Sequence, residues 1–548
     1  MAERPVPCTG KAPAWAATPA TLLATSGSRH EADFTQLARD LAAADHLDDT
    51  YTDTLDTHPG AKPSAAPSPT SSPTTCTTGA KSSTSSSASA SPTSPKATSS
   101  PGKPPPAPSC HRRPHALTPP RPHALTPPHG AHMPLTIRQV PTEGPDFDRY
   151  IAICANAYPG FTTPAALQSF AENTRDSIRE PAITLWGAYR DGEVVGAMRY
   201  FDFAMRIRSV EGFVGGVGMI ATDLTQKKTG VAAAMVRDFL AHYRARGATM
   251  AILHPFRHDF YRRMGWGYGT PLSQYHLRPA DLPARPAPGS VRLLGPADLD
   301  AFLACHDRLC ARTNGLIRMY RSTAESILAS AAVRAIGYEE AGTLRGYLLT
   351  RFVPRERGRQ ADLHVDDCLT ETPAAFNGLL AFLRAQADQC PVVVFNTQED
   401  GFYLLPADPT DGSEVILKTP AYHRTHAQGL GMMYRVLDTP GIFALLRDHD
   451  FGGQSLTLRL TVRDSFFPPN DGTTTIRFAN GRPTVAPDDE PDITLALDIA
   501  DFSSLLIGSV SFRTLHRLGL AEIGDPGHAT ALDRLFAAEQ PPFSTTRF

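Results

Sequence analysis

The sequence predicts a mixed α/β and α+β architecture, with three folded units in succession behind a long disordered extension. Three observations carry this prediction. Composition changes abruptly near Met133, before which Ser, Thr, Pro and Ala dominate from Pro59 to Pro128. After it, one order of elements (helices, hairpin, strand, helix, strand) appears and is then repeated in a second unit. Beyond Tyr434 the pattern shifts to cleanly alternating strands separated by tight turns.

Residues 1–132 form the predicted extension. A segment so poor in apolar residues cannot bury enough surface to offset the entropy of ordering it. It holds a tandem octapeptide, RPHALTPP, from Arg113 to Pro120 and again from Arg121 to Pro128, too short for a solenoid. FTQLARDLAAA has helical spacing, with Asp33 placed to cap it, so a short helix is predicted from Asp33 to Ala44. Met133 is an alternative translation start.

The first folded unit is expected over residues 133–285. Leu135–Val140 alternates as a strand does, and Asp146–Ala157 has helical periodicity. Thr184–Arg190 and Glu193–Phe203 flank Asp191-Gly192, and a DG pair between alternating runs signals a hairpin. Phe213–Thr222 reads as a strand, Thr229–Arg246 as a helix with Val231, Ala234, Met235 and Phe239 on one face, and Ala248–Leu253 as a strand. The Pro-rich joint PARPAPG, Pro283 to Gly289, ends the unit. The second unit, 286–433, has strands near Arg292, at Ala335–Glu340, Gly342–Arg351, Gln360–Asp366 and Val392–Asn396, with helices at Leu299–Arg312 and Pro373–Gln389. The third, 434–548, has strands LTLRLTV, TTIRF and ITLALDI, turns at Asn470-Asp471-Gly472 and Asn480-Gly481, and three short helices.

Whole-chain properties exclude several functions. The chain has 548 residues, a formal net charge of -2 and 41% hydrophobic residues. Near-neutrality supplies no long-range field for nucleic acid or an anionic membrane, so neither partner is expected. No apolar run reaches the ~18 residues of a membrane span, and the N-terminus lacks a secretory signal, so the predicted location is the cytoplasm. Eight scattered cysteines without a CxxC pair predict neither a disulfide framework nor a metal site.

Two segments carry candidate chemistry. In GVGMIATDLTQKKTGVAA, Gly216 to Ala233, a strand runs into a basic turn, Gly230, and an amphipathic helix. Free amides at the helix start and its positive dipole end bind anions, and Gly230 permits close approach of a phosphate. A solvated Lys-Lys loop is the plainer alternative. The second segment, His254 to Thr270, reads HPFRHDFYRRMGWGYGT and interleaves Tyr261, Trp266 and Tyr268 with three glycines. It reads either as a pocket wall or as an aromatic loop packed over the sheet edge.

Together, at this spacing, the two segments resemble the GNAT superfamily of N-acetyltransferases, and within it the Eis (enhanced intracellular survival) family. The GNAT turn R/Q-x-x-G-x-G/A is matched by Lys227-Lys228-Thr229-Gly230-Val231-Ala232, with Lys in place of Arg or Gln. Lys keeps the charge and loses the planar fork. The Eis-like Y-x-R-F-G-Y-G pattern is matched by Tyr261-Arg262-Arg263-Met264-Gly265-Trp266-Gly267. The resemblance runs from Met133 to Phe548. It implies two tandem GNAT domains, the second degenerate, followed by a sterol-carrier-like domain. It further implies an acetyl-CoA-dependent N-acetyltransferase acting on small-molecule or peptide amines, aminoglycosides among them, and a homohexameric assembly. The backbone of Ile220, Ala221 and Thr222 is then expected along the pantetheine arm. Lys228, Thr229, Gly230, Val231, Ala232 and Ala233 are expected around the pyrophosphate, with Phe256 and Arg257 nearby. Tyr261 takes the place of the general acid and the terminal carboxylate of Phe548 that of the general base. Arg547 stands where an acid would suit polycationic substrates. In the second unit, CLTETPAAFNG lacks a basic residue, and Asp366, Asp367 and Glu371 are expected to repel a pyrophosphate, leaving one CoA site per chain. The competing function is lipid binding or a non-catalytic scaffold, through the last unit.

Overall fold

A computed structural model describes residues 135–158, 161, 163–355, 360–419 and 421–548. The predicted extension, its repeat and its short helix lie outside these residues. All the described residues belong to one compact unit.

The first sheet begins with β1 (Thr136–Gln139), followed by helices α1 (Pro145–Ala157) and α2 (Pro164–Ser177). A hairpin of β2 (Ile183–Arg190) and β3 (Glu193–Ile207) turns at Asp191 and Gly192, both with positive φ (53° and 85°), the twist a tight hairpin needs. Next come β4 (Val210–Thr222), α3 (Val231–Ala245), β5 (Met250–Leu253), the short helix α4 (His258–Arg262) and β6 (Gly267–Tyr268). Helix α1 packs on one face of β3 and β4 and α3 on the other, because Ala197 and Met198 point oppositely into two different clusters.

The chain then leaves this sheet. Strand β7 (Leu272–Leu277) pairs with strands of a second sheet made from β8 (Ser290–Leu293), β9 (Arg334–Glu340), β10 (Thr343–Pro354), β11 (Ala361–Thr370) and β12 (Val393–Thr397). Helices α5 (Leu299–Cys310), α6 (Arg321–Ala329) and α7 (Pro373–Arg384) cover it. A small hairpin, β13 (Ile416–Lys418) and β14 (Tyr422–His423), precedes the edge strand β15 (His426–Gly429). Strand β16 (Met433–Val436) then returns to the first sheet, between β5 and β6. The strand orders are β1-β2-β3-β4-β5-β16-β6 and β15-β7-β12-β11-β10-β9-β8. The two sheets thus exchange strands, and the chain near Tyr434, where the third unit was expected to start, still belongs to the first sheet.

The last unit starts with α8 (Thr439–Leu445). Its five-stranded sheet has β17 (Leu456–Arg463), β18 (Gly472–Ala479), β19 (Arg482–Val485), β20 (Ile493–Asp498) and β21 (Ala521–Ile523), in the order β19-β18-β17-β20-β21. Helices α9 (Ile499–Ile507), α10 (Phe512–Arg517) and α11 (Ala529–Leu535) complete it. Every residue of α9 is buried. A helix buried all round lies between two layers. Here one core cluster joins Phe201, Phe203 and Val214 of the first sheet with Leu458, Leu495, Phe502 and Leu506 of the last unit.

Candidate active site

Among the described residues, strands β4 and β5 are the only parallel neighbours in the first sheet, and their pairing ends at Val217 with Leu253. Beyond that point β4 diverges. Its register against β3 shifts between Ala197 and Arg199, and Met219 takes a positive φ of 53° there, a bulge that turns the strand. The backbone from Gly218 to Thr222 therefore borders a wedge-shaped gap with one edge not paired to β5. Ile220 is half-buried, Ala221 buried and Thr222 half-buried on this wall.

At the wide end of the wedge is the start of α3. Its cap is Gly230 in the left-handed region (φ 84°), and no side chain among the described residues caps it. A Cβ at Gly230 would meet nothing within 4 Å, so this helix end is open to solvent. The first intrahelical bond in this turn is that of Ala234 to Gly230 O, which leaves the amides of Val231, Ala232 and Ala233 for an anion. Lys228, itself at φ 63°, and Thr229 are exposed beside it. Phe256 is 63% exposed, and Arg257 is held by Asp259 at 2.6 Å.

Tyr261 is on α4 and is 3% exposed. Its ring meets Phe260, Phe256 and Trp266 edge-on at 5.1, 6.0 and 6.5 Å. Burial pushes its phenol well above 10, and Tyr158 adds to the rise. The phenol therefore stays protonated at any working pH.

The chain terminus enters the narrow end of the wedge. A Cβ built at Gly218 would lie 3.4 Å from the Phe548 backbone oxygen. The Phe548 ring packs edge-on against Phe201 (5.1 Å) and Phe203 (4.9 Å), and its centroid lies 5.2 Å from that of His254. His254 Nε2 and the Thr546 carbonyl are 2.9 Å apart. His254 keeps contact with solvent; desolvation of its ring lowers its pKa, against the hydrogen bond to Thr546, and Arg547 lowers it further. His254 was not picked out from the sequence. Gly218 was also missed, although a strand carrying Gly212, Gly215, Gly216 and Gly218 advertises close approaches. Added Cβ atoms at Gly215 and Gly216 would lie 2.4 Å from the rings of Tyr243 and Phe203.

The glycines of the second segment serve packing. A Cβ at Gly267 would lie 2.2 Å from Ala500 O of α9, one at Gly269 2.7 Å from Met432 O, and one at Gly265 would collide with the Arg435 guanidinium. Trp266 is fully buried. The part of the segment from Gly265 to Gly269 is packed over the sheet.

The second sheet has the same parallel pair, β11 with β12, but a different helix start. Thr372 caps α7 by accepting from the Ala375 amide at 3.1 Å, and Pro373 brings no N–H. The acids expected to repel a phosphate do not stand alone, which corrects that argument. Asp366 is bidentate with Arg351 at 2.6 and 3.1 Å, and Glu371 lies within reach of Arg308, Arg345 and Arg312 at 2.6, 3.1 and 3.8 Å. The capped start, rather than acidic repulsion, distinguishes this turn from that of α3.

Comparison with known proteins agrees with this architecture. Residues 137–269 and 309–436 each match an acetyltransferase (GNAT) domain, and residues 444–544 match a sterol carrier protein domain. The chain therefore carries two tandem GNAT domains followed by a sterol carrier protein domain, the domain content of a GNAT-type acyltransferase. An uncharacterized N-acetyltransferase of Streptomyces coelicolor is 30% identical over 183 residues, which span 31% of this chain and 43% of that protein. Solved structures of similar shape include a GCN5-related N-acetyltransferase from Kribbella flavida (19% identity, TM-score 0.61, 76% of this chain and 98% of that one). Another is from Anabaena variabilis (15%, 0.62, 75% and 100%). Eis1 from Mycobacterium abscessus is a third (20%, 0.60, 76% and 100%). At these identities the likeness is one of fold. Among the described residues no helix is long and apolar enough to cross a membrane.

Proposed function

We propose that the chain is an acetyl-CoA-dependent N-acetyltransferase of the Eis-like kind, with one catalytic centre in the wedge between β4 and β5. The observation that carries this reading is the chain terminus beside Gly218, at the point where the strands separate. The uncapped start of α3, with Lys228, Thr229 and Gly230, suits the pyrophosphate of CoA, and the splayed strand from Ile220 to Thr222 suits its pantetheine arm. Phe256 and Arg257 border the same opening.

In this reading a neutral amine attacks the thioester carbonyl. The C–N bond forms, the carbonyl oxygen takes up charge against a strand amide, and collapse breaks the C–S bond. The Phe548 carboxylate orients the incoming ammonium and accepts its proton through water. A carboxylate has a reference pKa of about 3.5, so position rather than basicity gives it the role. Tyr261 delivers a hydrogen bond, and then its proton, to the departing sulfur, and it regains a proton through water from the one that the nitrogen sheds as the amide forms. Its pKa lies above that of a thiol, so the proton moves only as the thiolate charge develops.

Aminoglycosides are the first amines to test, with peptide amines second, and a cytoplasmic homohexamer belongs to the same proposal. Arg547, next to the terminus, is 3.9 Å from Asp366, so its charge is partly answered within the protein. The deciding experiment follows thiol release from acetyl-CoA over an amine panel, in the native chain and in one extended by a few residues after Phe548. Turnover only in the native chain is expected. Equal turnover in both would remove the carboxylate from the mechanism while keeping the enzyme class.

A further inference from the structure

The two GNAT sheets split at equivalent places. In the first, parallel pairing ends at Val217 with Leu253, and the next residues are Gly218 and His254. In the second it ends at Val365 with Phe395, and the next residues are Asp366 and Asn396. The first wedge receives Phe548 beside Gly218 and Thr546 at His254. The second wedge meets the same tail. Gln398, two residues past Asn396, accepts from the Ser544 amide at 2.8 Å, and Asp366 lies 3.9 Å from the Arg547 guanidinium.

Each contact has support behind it. Gln398 is 9% exposed and uses both ends of its amide, since its Nε2 donates to Thr270 O at 2.8 Å. Thr270 in turn donates its hydroxyl to Pro542 O at 2.6 Å, and the Phe543 amide donates to Asn314 O at 2.7 Å. Asp366 is fixed by its bidentate bond to Arg351. From Ser544 to Phe548 the tail is thus held by the second wedge, the first, the second and the first in turn.

We propose that the wedge of the second GNAT domain is the seat of the chain's own C-terminal segment, and that Gln398 and Asp366 are positioning residues for the Phe548 carboxylate. The wedge whose helix start is capped by Thr372 takes up the chain's own tail at Ser544 and Arg547. The catalytic consequence rests on the proposed function above, whereas the seat itself does not.

The test reads the tail directly. Carboxypeptidase A removes an aromatic C-terminal residue once it is accessible, so the rate of Phe release reports how firmly Phe548 is held. Gln398→Leu loses two hydrogen bonds, and Phe release is expected to rise about tenfold over the native chain. Asp366→Asn keeps only one of the two bonds from Arg351 and removes the charge that faces Arg547, and is expected to raise release about threefold. Gln398→Glu keeps the acceptor for Ser544 and should release Phe more slowly than Gln398→Leu. Circular dichroism confirms that each variant is folded, and Asp366→Asn stands in should Gln398→Leu not fold. Native release rates in the folded variants would overturn the proposal. In acetyl transfer, Gln398→Leu should lower kcat about tenfold with the KM for acetyl-CoA unchanged, as a displaced base requires. Faster release with kcat unchanged would leave the seat standing and count against the terminal carboxylate as base.

Discussion

Replacing Arg208 by Met isolates what holds the sterol carrier domain against the first GNAT sheet. Arg208 ends the β3–β4 hairpin at φ 57°, and its guanidinium donates to four carbonyls of the last domain. These are Leu506 at 2.5 Å, Leu505 at 3.0 Å, and Phe536 and Ala537 at 2.9 Å each. They lie at the C-terminal end of α9 and just past that of α11, where a cation also meets the negative end of each dipole; Leu505 O accepts from the Gly508 amide as well. Burial lowers the Arg208 pKa to about 10, which still leaves it charged at neutral pH. Hydrogen bonds from a charged donor contribute about 1.5–3 kcal/mol each. Relief of the buried guanidinium returns several kcal/mol, so the net loss in Arg208→Met is roughly 3 kcal/mol. Urea unfolding followed by tryptophan fluorescence suits the measurement, because Trp266 lies beneath the junction with α9. Arg208→Lys, with a point charge and no fork, should fall between the two. A loss below about 1 kcal/mol in Arg208→Met would refute the argument that this one side chain ties the helix ends together.

Two further outcomes are expected. Tyr261→Phe removes only a hydroxyl from a buried ring, so kcat should fall about a hundredfold with the KM for acetyl-CoA unchanged, and an unaltered kcat would take Tyr261 out of the reaction. His449, which is hydrogen-bonded to Ser209, has its pKa lowered to about 4 by burial and by Arg208, Arg482 and Arg206 nearby. Its folded pKa lies below the unfolded value of about 6.5, so the unfolded chain takes up the proton first as pH falls. Stability is full above about pH 6.5 and declines toward pH 4, by about 1–2 kcal/mol after solvent screening of a part-exposed ring. His449→Gln should make the urea midpoint fall less between pH 7 and pH 5. An identical fall in both proteins would assign the pH dependence elsewhere.

Local signals made much of the fold legible. Asp191-Gly192 and Asn480-Gly481 announce their hairpins because both residues of each pair adopt positive φ. Helix α3 shows itself through Val231, Met235 and Phe239, all buried. The strand exchange left no such trace. All four residues of Met433–Val436 are buried, Arg435 among them, so the segment shows neither alternation nor an apolar run. Arg435 is tolerated there because Asp464 of the last domain takes its charge at 2.7 Å, a partner 29 residues away. No window-based reading sees such a pair. The same holds for the site. The open turn before α3 is local and its Gly230 cap was readable, whereas His254, Asp366 and Gln398 make their tail contacts only with residues more than a hundred positions away.

The sterol carrier domain raises a different question, namely where its apolar surface goes. Leu458, Leu460, Ile476, Leu495 and Leu497 on its sheet are essentially fully buried, and so are Phe443, Phe502, Leu505 and Leu506 on its helices. These residues share one cluster with Phe201, Phe203 and Ile252 of the first sheet. Helix α9 is packed on the Gly267 backbone with no room for a single added carbon. Dense cores resist opening because each buried methylene contributes about 0.8 kcal/mol. The domain's apolar surface is therefore committed to the chain itself. What it supplies to the wedge is a fixed point of departure, at Ala537, for the residues that lead to Phe548. Arg208 fixes that departure point from one side, and Asn314 from the other through its bonds to Ile507 O and Gln540 O. A loosened tail would leave Gly218, and for this reason a domain away from the start of α3 bears on where Phe548 lies.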